Sequence, residues 1–237
     1  MSKIVSVSGI IGAGKDTVSN YLIEQHGYTR ISFSAILKDV VAALFLWDRE
    51  MLEGGTKSAR EAREQTDDWW SKVLGKEFSP RIALQTIATE VMRDHFHNDI
   101  WVLALQNRLR SIAADSNQKV VASDTRFLNE LGMMHAMGGI TLRVVRNSPV
   151  WEAEFVSRVE HDSFILLGFP LATASLDNKK VAEVVRGQLI RISIAMGIDT
   201  HVSDLEHMVW NKYHTTITNN GTLEDLYHKI DEVLELK

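Results

Sequence analysis

Runs of β-branched and apolar residues alternate along the chain with stretches whose apolar positions recur at helical spacing. Five of these runs predict short, mostly buried strands. They cover residues 3–8, 29–33, 119–123, 140–145 and 215–218. Because helical patterns separate most of the strands, we expect an α/β fold with a parallel sheet and helices on both of its faces.

Helices are predicted wherever apolar residues repeat every three or four positions behind a capping residue. We expect them over residues 15–26, 34–46, 59–74, 101–114, 128–137, 178–196 and 222–236, with one more starting at Ser79-Pro80. Ser34 and Thr222 stand at N-cap positions, and Asp225 follows Thr222 at the spacing of a capping box. The charged residues before Ala59 are interpreted as a loop.

Two segments do not fit the sheet pattern. Residues 47–115 are charged and helical, and residues 149–200 hold two of the three prolines. We therefore expect a single domain over residues 1–237 with two insertions, the second of them lid-like.

The composition narrows the range of functions. The chain of 237 residues can bury a full core, and its 0 cysteines exclude disulfides, thiolate zinc sites and cysteine nucleophiles. Its 26 Lys and Arg against 31 Asp and Glu give a net charge of −5, which argues against stable nucleic-acid binding. Any phosphate must therefore be bound by a few placed cations. The polar N-terminus and the lack of a membrane-length apolar run predict a cytoplasmic protein.

The sharpest motif is GIIGAGKDT at residues 9–17, which matches G-x-x-x-x-G-K between a predicted strand and a predicted helix. Glycines let the backbone amides converge on phosphate oxygens, and the helix N-terminus adds its positive end. Lys15 supplies a point charge. Asp16 replaces the usual hydroxyl residue, so that Thr17 contacts the metal either directly or through water. The alternative is a glycine turn without a ligand.

A second group of charged residues is expected at strand ends, where ligands bind in such sheets. Asp124 could hold Mg²⁺ or its waters, and Arg126 could grip a phosphate; the alternative is a helix-capping Asp and a surface Arg. Arg146 follows the next strand. It is a better candidate than Arg143 for an arginine that acts from a lid on a transferring phosphoryl group.

Cations and polar residues also follow the second strand. Lys38 lies near the start of the next helix. The helix after Ser79 places several side chains on one face that could bind a base and a monophosphate: Arg81, Gln85 and Thr89, with Ala88 nearby. Each of these alone is a weak signal.

The order of these motifs resembles the bacteriophage deoxynucleoside monophosphate kinases. The likeness spans residues 3–147 and 199–236. Besides the glycine loop it rests on Leu37-Lys38, Arg81 with Leu84-Gln85 and Thr89, and four further segments: DIWV at 99–102, SDTR at 123–126, DTHVSD at 199–204 and ITNNGTLEDL at 217–226.

The resemblance implies a three-layer P-loop NTPase/kinase fold in which residues 47–115 form a helical acceptor-binding insertion. It implies transfer of the γ-phosphoryl group of ATP, with Mg²⁺, to a deoxynucleoside monophosphate, supplying phage DNA replication in the host cytoplasm. ATP would be bound by Gly12, Ala13, Gly14, Lys15, Asp16, Thr17 and Val18 and, near its adenine, by the turn Asn219, Asn220 and Gly221. The monophosphate would be bound by Ile11, Leu37, Lys38, Arg81, Gln85, Ala88, Thr89, Trp101 and Arg126. Lys15, Asp124, Arg126 and Arg146 would be catalytic, and Thr17 and Asp124 would face the metal.

Two features depart from the family. Ile10 and Ile11 stand where some members carry a basic residue, and residues 150–198 are longer than expected. The alternatives are another P-loop small-molecule kinase, such as a dephospho-coenzyme A kinase, and a nucleotide-binding protein without enzymatic activity. The expected partners are small nucleotides, with no membrane, and a homodimer is left open.

Overall fold

The computed structural model describes residues 4–113, 118–167, 179–198, 205–210 and 212–236. These residues form five strands: β1 (Ile4–Ser8), β2 (Thr29–Ile31), β3 (Val120–Ala122), β4 (Ile140–Val145) and β5 (Thr215–Thr218). Backbone contacts divide the chain into a sheet unit (residues 1–32 and 110–237) and a helical unit (residues 33–109).

The five strands form one parallel sheet in the order β2-β3-β1-β4-β5. β1 is central, pairing Val5 with Val121 on one side and with Ile140 on the other. This confirms the predicted α/β fold with a parallel sheet. Because all strands run the same way, their carboxyl ends meet at one edge of the sheet.

Outside residues 80–113, the described part of the chain contains nine helices. They are α1 (Lys15–His26), α2 (Ala35–Phe45), α3 (Arg49–Glu53), α4 (Lys57–Glu64), α5 (Asp68–Leu74), α8 (Leu128–Ala136), α9 (Glu152–Leu167), α10 (Lys179–Ala195) and α11 (Leu223–Leu234). Between α5 and α8 lie α6 (Pro80–Gln85), a π-helical segment (Thr86–Phe96) and α7 (Ile100–Ala113), and a 3₁₀ turn (Glu206–Val209) precedes β5.

Alternation along β1 separates the two faces of the sheet. Val5 and Val7 are fully buried in a core that α1 and α11 cover. Ser6 and Ser8 point the other way, and both donate to Thr125, at the hydroxyl and the carbonyl oxygen respectively. The buried polar face therefore fixes the loop after β3 against β1.

A second core of the sheet unit lies among α8, α9, α10 and the 3₁₀ turn, with Phe155 and Leu189 fully buried. Part of the predicted lid-like region, residues 149–200, therefore packs on the sheet unit. α9 was not predicted from the sequence, although α10 matches the helix expected at residues 178–196.

The helical unit has its own core. Phe45 stacks on Trp47 and meets Trp70 edge to face, and Leu52 is fully buried beside them. Ser79 accepts a hydrogen bond from the amide of Ile82, and Pro80 occupies the first turn of α6, as expected.

The predictions of a loop before Ala59 and of one helix over residues 59–74 were wrong. α3, α4 and α5 occupy this stretch, and the chain is extended at Gln65 and Asp67. The cause is local, because the Asp67 carboxylate caps α5 by accepting from the amide of Trp70 and also accepts from the indole of Trp47. These hydrogen bonds lower the pKa of Asp67.

Ser34 is the N-cap of α2 as predicted, but it has helical dihedrals and its side chain makes no capping hydrogen bond. Thr222 and Asp225 do form the predicted capping box at α11. Within the described ranges, no helix combines the length and the apolar character needed to cross a membrane.

One residue at the end of α2 is held in an unfavourable conformation. Leu46 has φ +56° and is 90% exposed, so that its side chain gains little packing. We expect Leu46→Gly to stabilise the protein by about 0.5–1 kcal/mol, because glycine removes the left-handed penalty. The urea unfolding midpoint measures this. Leu46→Ala keeps the strained backbone and should give no such gain; a lower midpoint for Leu46→Gly would contradict the explanation.

Candidate functional site

A cavity of about 380 Å³ opens in the sheet unit beyond the carboxyl ends of β1, β4 and β5. It is lined by the glycine loop and the start of α1, by the end of β4 and by the turn that leads into α11. The lining residues are Gly12, Gly14, Lys15, Asp16, Thr17, Arg146, Asn219, Gly221, Thr222 and Leu223.

The loop between β1 and α1 needs glycine at two tight positions. Gly9 has φ +147°, and a Cβ there would lie 2.3 Å from the carbonyl oxygen of Val144. Gly14 has φ +105°, and a Cβ there would lie 2.4 Å from the side-chain nitrogen of Asn219. The loop is therefore built against β4 and against the turn after β5.

The N-terminus of α1 faces the cavity. Gly14 is its N-cap, in the left-handed conformation, and no side chain caps this end. Lys15, in the first turn, donates from Nζ to the carbonyl oxygen of Ile10 at 2.9 Å. The positive end of the helix dipole and the lysine ammonium therefore lie close together. This arrangement favours the binding of an anion.

The residues that follow Lys15 differ in their surroundings. Both Asp16 and Thr17 line the cavity, but the side chain of Asp16 is 84% exposed and lies 3.7 Å from the guanidinium of Arg30. Val18 is fully buried in the core, and its amide donates to the carbonyl of Gly14. Val18 therefore anchors the start of α1 in the core. Ile11, at the tip of the glycine loop, is 77% exposed.

Arg146 reaches the same cavity from the end of β4. Arg143, the other arginine of this strand, forms an ion pair with Glu152. The next residue after Arg146, Asn147, has φ +46°, and its amide donates to the side chain of Asn220.

The turn after β5 lies on the other side of the cavity. The side chain of Asn219 donates to the carbonyl oxygen of Ala13 at 2.8 Å, which connects the turn directly to the glycine loop. The cap of α11 at Thr222 completes the wall.

Asp124 and Arg126 lie at the end of β3 and are not among the described residues that line the cavity. Both are half-buried. The Asp124 carboxylate accepts a hydrogen bond from Ser32 at 2.6 Å, and the backbone amide of Arg126 donates to Glu130 at 2.9 Å.

Sequence reasoning missed these supporting residues. The Glu130 carboxylate accepts hydrogen bonds from the backbone amides of Arg126 and Phe127 and so satisfies donors at the start of α8, although Phe127 is not a capping residue type that the sequence would reveal. Glu206, which is 4% exposed and accepts from the amide of Leu128, comes from a distant segment, and no local pattern identifies it. The same holds for Ser32.

In the helical unit, two predicted phosphate-binding cations are paired with carboxylates. Lys38 donates to Glu53 at 2.8 Å, and Arg49 donates to the same carboxylate. Burial alone would raise the pKa of Glu53, but the hydrogen bonds from Lys38 and Arg49 lower it. Arg81 lies 3.1 Å from Glu64.

The apolar residues implied by the resemblance lie in the core of the helical unit. Leu37 and Trp101 are buried, and the Trp101 indole donates to the carbonyl oxygen of Ala88 at 3.0 Å. The helix that carries Arg81 and Gln85 is regular only to Gln85, and Thr89 lies in the wider π-helical segment. The regular i, i+4 spacing assumed for this face therefore ends at Gln85. The segment at residues 199–204 lies outside the described residues.

No family model matches the chain. It is 28% identical over 165 residues to a protein of Acanthamoeba polyphaga mimivirus named "Putative deoxynucleotide monophosphate kinase", a match that covers 66% of this chain and 81% of the viral protein.

Two solved structures illustrate the level of structural likeness. A dephospho-CoA kinase from Campylobacter jejuni is 14% identical over 99% of this chain and 96% of its own, with a TM-score of 0.45. A shikimate kinase from Acinetobacter baumannii in complex with shikimate is 17% identical over 100% and 96%, with a TM-score of 0.35. These scores are low, and the fold assignment rests on the strand order of this chain.

The glycine loop can be tested directly. We expect Gly14→Ala to weaken ATP binding about tenfold or more, because a side chain at φ +105° is strained and would displace Asn219. Isothermal titration calorimetry measures the affinity.

Gly27→Ala is the matched control at the other end of α1. Gly27 has φ +67°, and a Cβ there would meet no atom of the described residues within 4 Å. Alanine should therefore lower stability by about 1 kcal/mol and leave ATP affinity unchanged. Unchanged ATP affinity in Gly14→Ala would contradict the loop assignment.

Proposed function

We propose that the protein transfers the γ-phosphoryl group of ATP to a deoxynucleoside monophosphate, giving the diphosphate and ADP. The observation that carries the transfer is the convergence of Lys15, the N-terminus of α1 and Arg146 on one cavity. Such a set of positive groups suits a triphosphate whose negative charge shifts during the reaction.

The choice of acceptor is supported by two likenesses in the sequence. The motif order resembles the phage deoxynucleoside monophosphate kinases, and the viral protein of 28% identity is named for the same activity. Lys38 and Arg81 of the helical unit are assigned to the acceptor phosphate, together with Arg126. Their carboxylate partners Glu53 and Glu64 are about half exposed, which allows an anionic substrate to replace them.

The residues present fit Mg²⁺, which binds oxygen ligands and usually keeps several waters and phosphate oxygens. Thr17 lines the cavity and would hold the ion directly or through water. Asp124, which is not among the described lining residues, would act through water. Bound Mg²⁺ would neutralise phosphate charge. Among the described residues, no cluster of three His, Asp or Glu offers an all-protein metal site, so the nucleotide itself would complete the coordination.

The reaction requires the protein to position the reacting groups rather than to form covalent bonds with them. A monophosphate oxygen is already nucleophilic at neutral pH, so that no general base is needed. In this proposal Lys15 and Arg146 stabilise the transferring group, while Lys38, Arg81 and Arg126 orient the acceptor.

A coupled ADP-release assay tests the function. The acceptors are dAMP, dGMP, dCMP, dTMP, dUMP and a modified dCMP, each beside its ribose counterpart, with dephospho-coenzyme A as a competing candidate. We expect at least one deoxynucleoside monophosphate to stimulate ADP release. If dephospho-coenzyme A alone stimulates ADP release, the protein is a dephospho-coenzyme A kinase and the proposal is wrong. If the protein binds ATP but no acceptor stimulates ADP release, it binds nucleotide without catalysis.

Lys15→Ala tests the phosphate site within that assay. We expect turnover to fall at least about 100-fold, because the variant loses a charge contact to the transition state. Lys57→Ala removes a lysine whose side chain is 86% exposed and should keep wild-type turnover. Near-wild-type turnover in Lys15→Ala would refute the site assignment.

A further inference from the structure

The turn after β5 makes side-chain contacts with two segments that face the cavity. Asn219 donates from its carboxamide to the carbonyl oxygen of Ala13, inside the glycine loop, at 2.8 Å. Asn220 accepts from the amide of Asn147, next to Arg146, at 3.2 Å. Both contacts join segments that are distant in the sequence.

The position of Asn219 is fixed by the sheet. Its own amide donates to the carbonyl oxygen of Val145 at 2.8 Å, which continues the β4–β5 ladder by one step. Its side chain then approaches the loop so closely that any residue other than glycine at position 14 would overlap it. The carboxamide is therefore directed at the loop backbone by a rigid element.

The bond to Ala13 has a consequence for the next amide. The carbonyl of Ala13 and the N–H of Gly14 belong to one planar peptide unit, and in a trans peptide the two groups point in opposite directions. No cis bond occurs in the described residues. Holding the Ala13 carbonyl toward Asn219 therefore sets the direction of the Gly14 N–H, one of the amides at the cavity wall.

Such a restraint matters because the loop is rich in glycine. Three of its residues, Gly9, Gly12 and Gly14, have positive φ values, and glycine backbones have many conformations of similar energy. A loop that must order its amides on binding would lose affinity for phosphate. Asn219 restrains the loop before the nucleotide arrives.

We propose that Asn219 is a positioning residue that holds the phosphate loop through the Ala13 carbonyl, and that it contributes to binding of the phosphates rather than of the base. The resemblance implies instead that this turn lies near the adenine of ATP. The inference rests on the proposed nucleotide site but not on the identity of the acceptor.

The test separates phosphate binding from base binding. Affinities of wild type and Asn219→Ala are measured for ATP and for inorganic tripolyphosphate by titration calorimetry with Mg²⁺, and for adenosine by displacement of a fluorescent ATP analogue. We expect the affinities for ATP and for tripolyphosphate to fall by the same factor in Asn219→Ala, about 3- to 10-fold, as for one lost hydrogen bond. Adenosine should be unaffected.

Two further variants make the result specific. Asn219→Asp keeps the size of the side chain but cannot donate to Ala13 when ionised, and its negative charge lies at the cavity wall, so that its tripolyphosphate affinity should fall further than that of Asn219→Ala. Thr216→Ala changes an exposed residue of the same strand and should bind all three ligands as wild type does.

Three results would overturn the proposal. They are a loss of adenosine affinity with tripolyphosphate unchanged, wild-type tripolyphosphate affinity in Asn219→Asp, and an absence of tripolyphosphate binding by the wild-type protein. Because none of these measurements needs an acceptor, a failure of the acceptor assay leaves them unaffected.

Discussion

The backbone of Gly9 lies so close to the carbonyl oxygen of Val144 that a Cβ would come within 2.3 Å of it. This contact joins the end of the central strand β1 to its neighbour β4, and it determines where the loop leaves the sheet. α1 then begins after Gly14 with its uncapped end toward the cavity. Lys15, Thr17 and Arg146 converge there only because the two strands are parallel and in this register.

The charges of the protein are arranged locally. A net charge of −5 gives no general attraction for phosphates, yet Lys15 and Arg146 share one cavity. In the helical unit, Lys38 and Arg81 lie against Glu53 and Glu64, whose oxygens resemble those of a phosphate in charge and in hydrogen bonding. These ion pairs hold both cations in fixed directions.

Sequence patterns predicted a helix start or a loop correctly where a few adjacent residues alone determine it. The glycine loop, the capping box at Thr222 and Asp225, and the Ser79-Pro80 helix start could all be read from a few adjacent residues. Two departures from the predictions have different origins. Ser34 has the residue type of a cap without its conformation, and Asp67 ends a predicted helix because it also binds the distant Trp47.

The sequence by itself determined the parallel α/β fold and the glycine loop, because periodicity and a short motif depend on neighbouring residues. The tertiary structure decided which distant groups support that loop. Asn219 meets Ala13, Ser32 meets Asp124 and Glu206 meets Leu128 only after the strands have aligned. The physical reason is that a hydrogen bond requires its atoms within about 3 Å, and residues that lie far apart in the sequence reach that distance only through the register of the sheet and the packing of its helices.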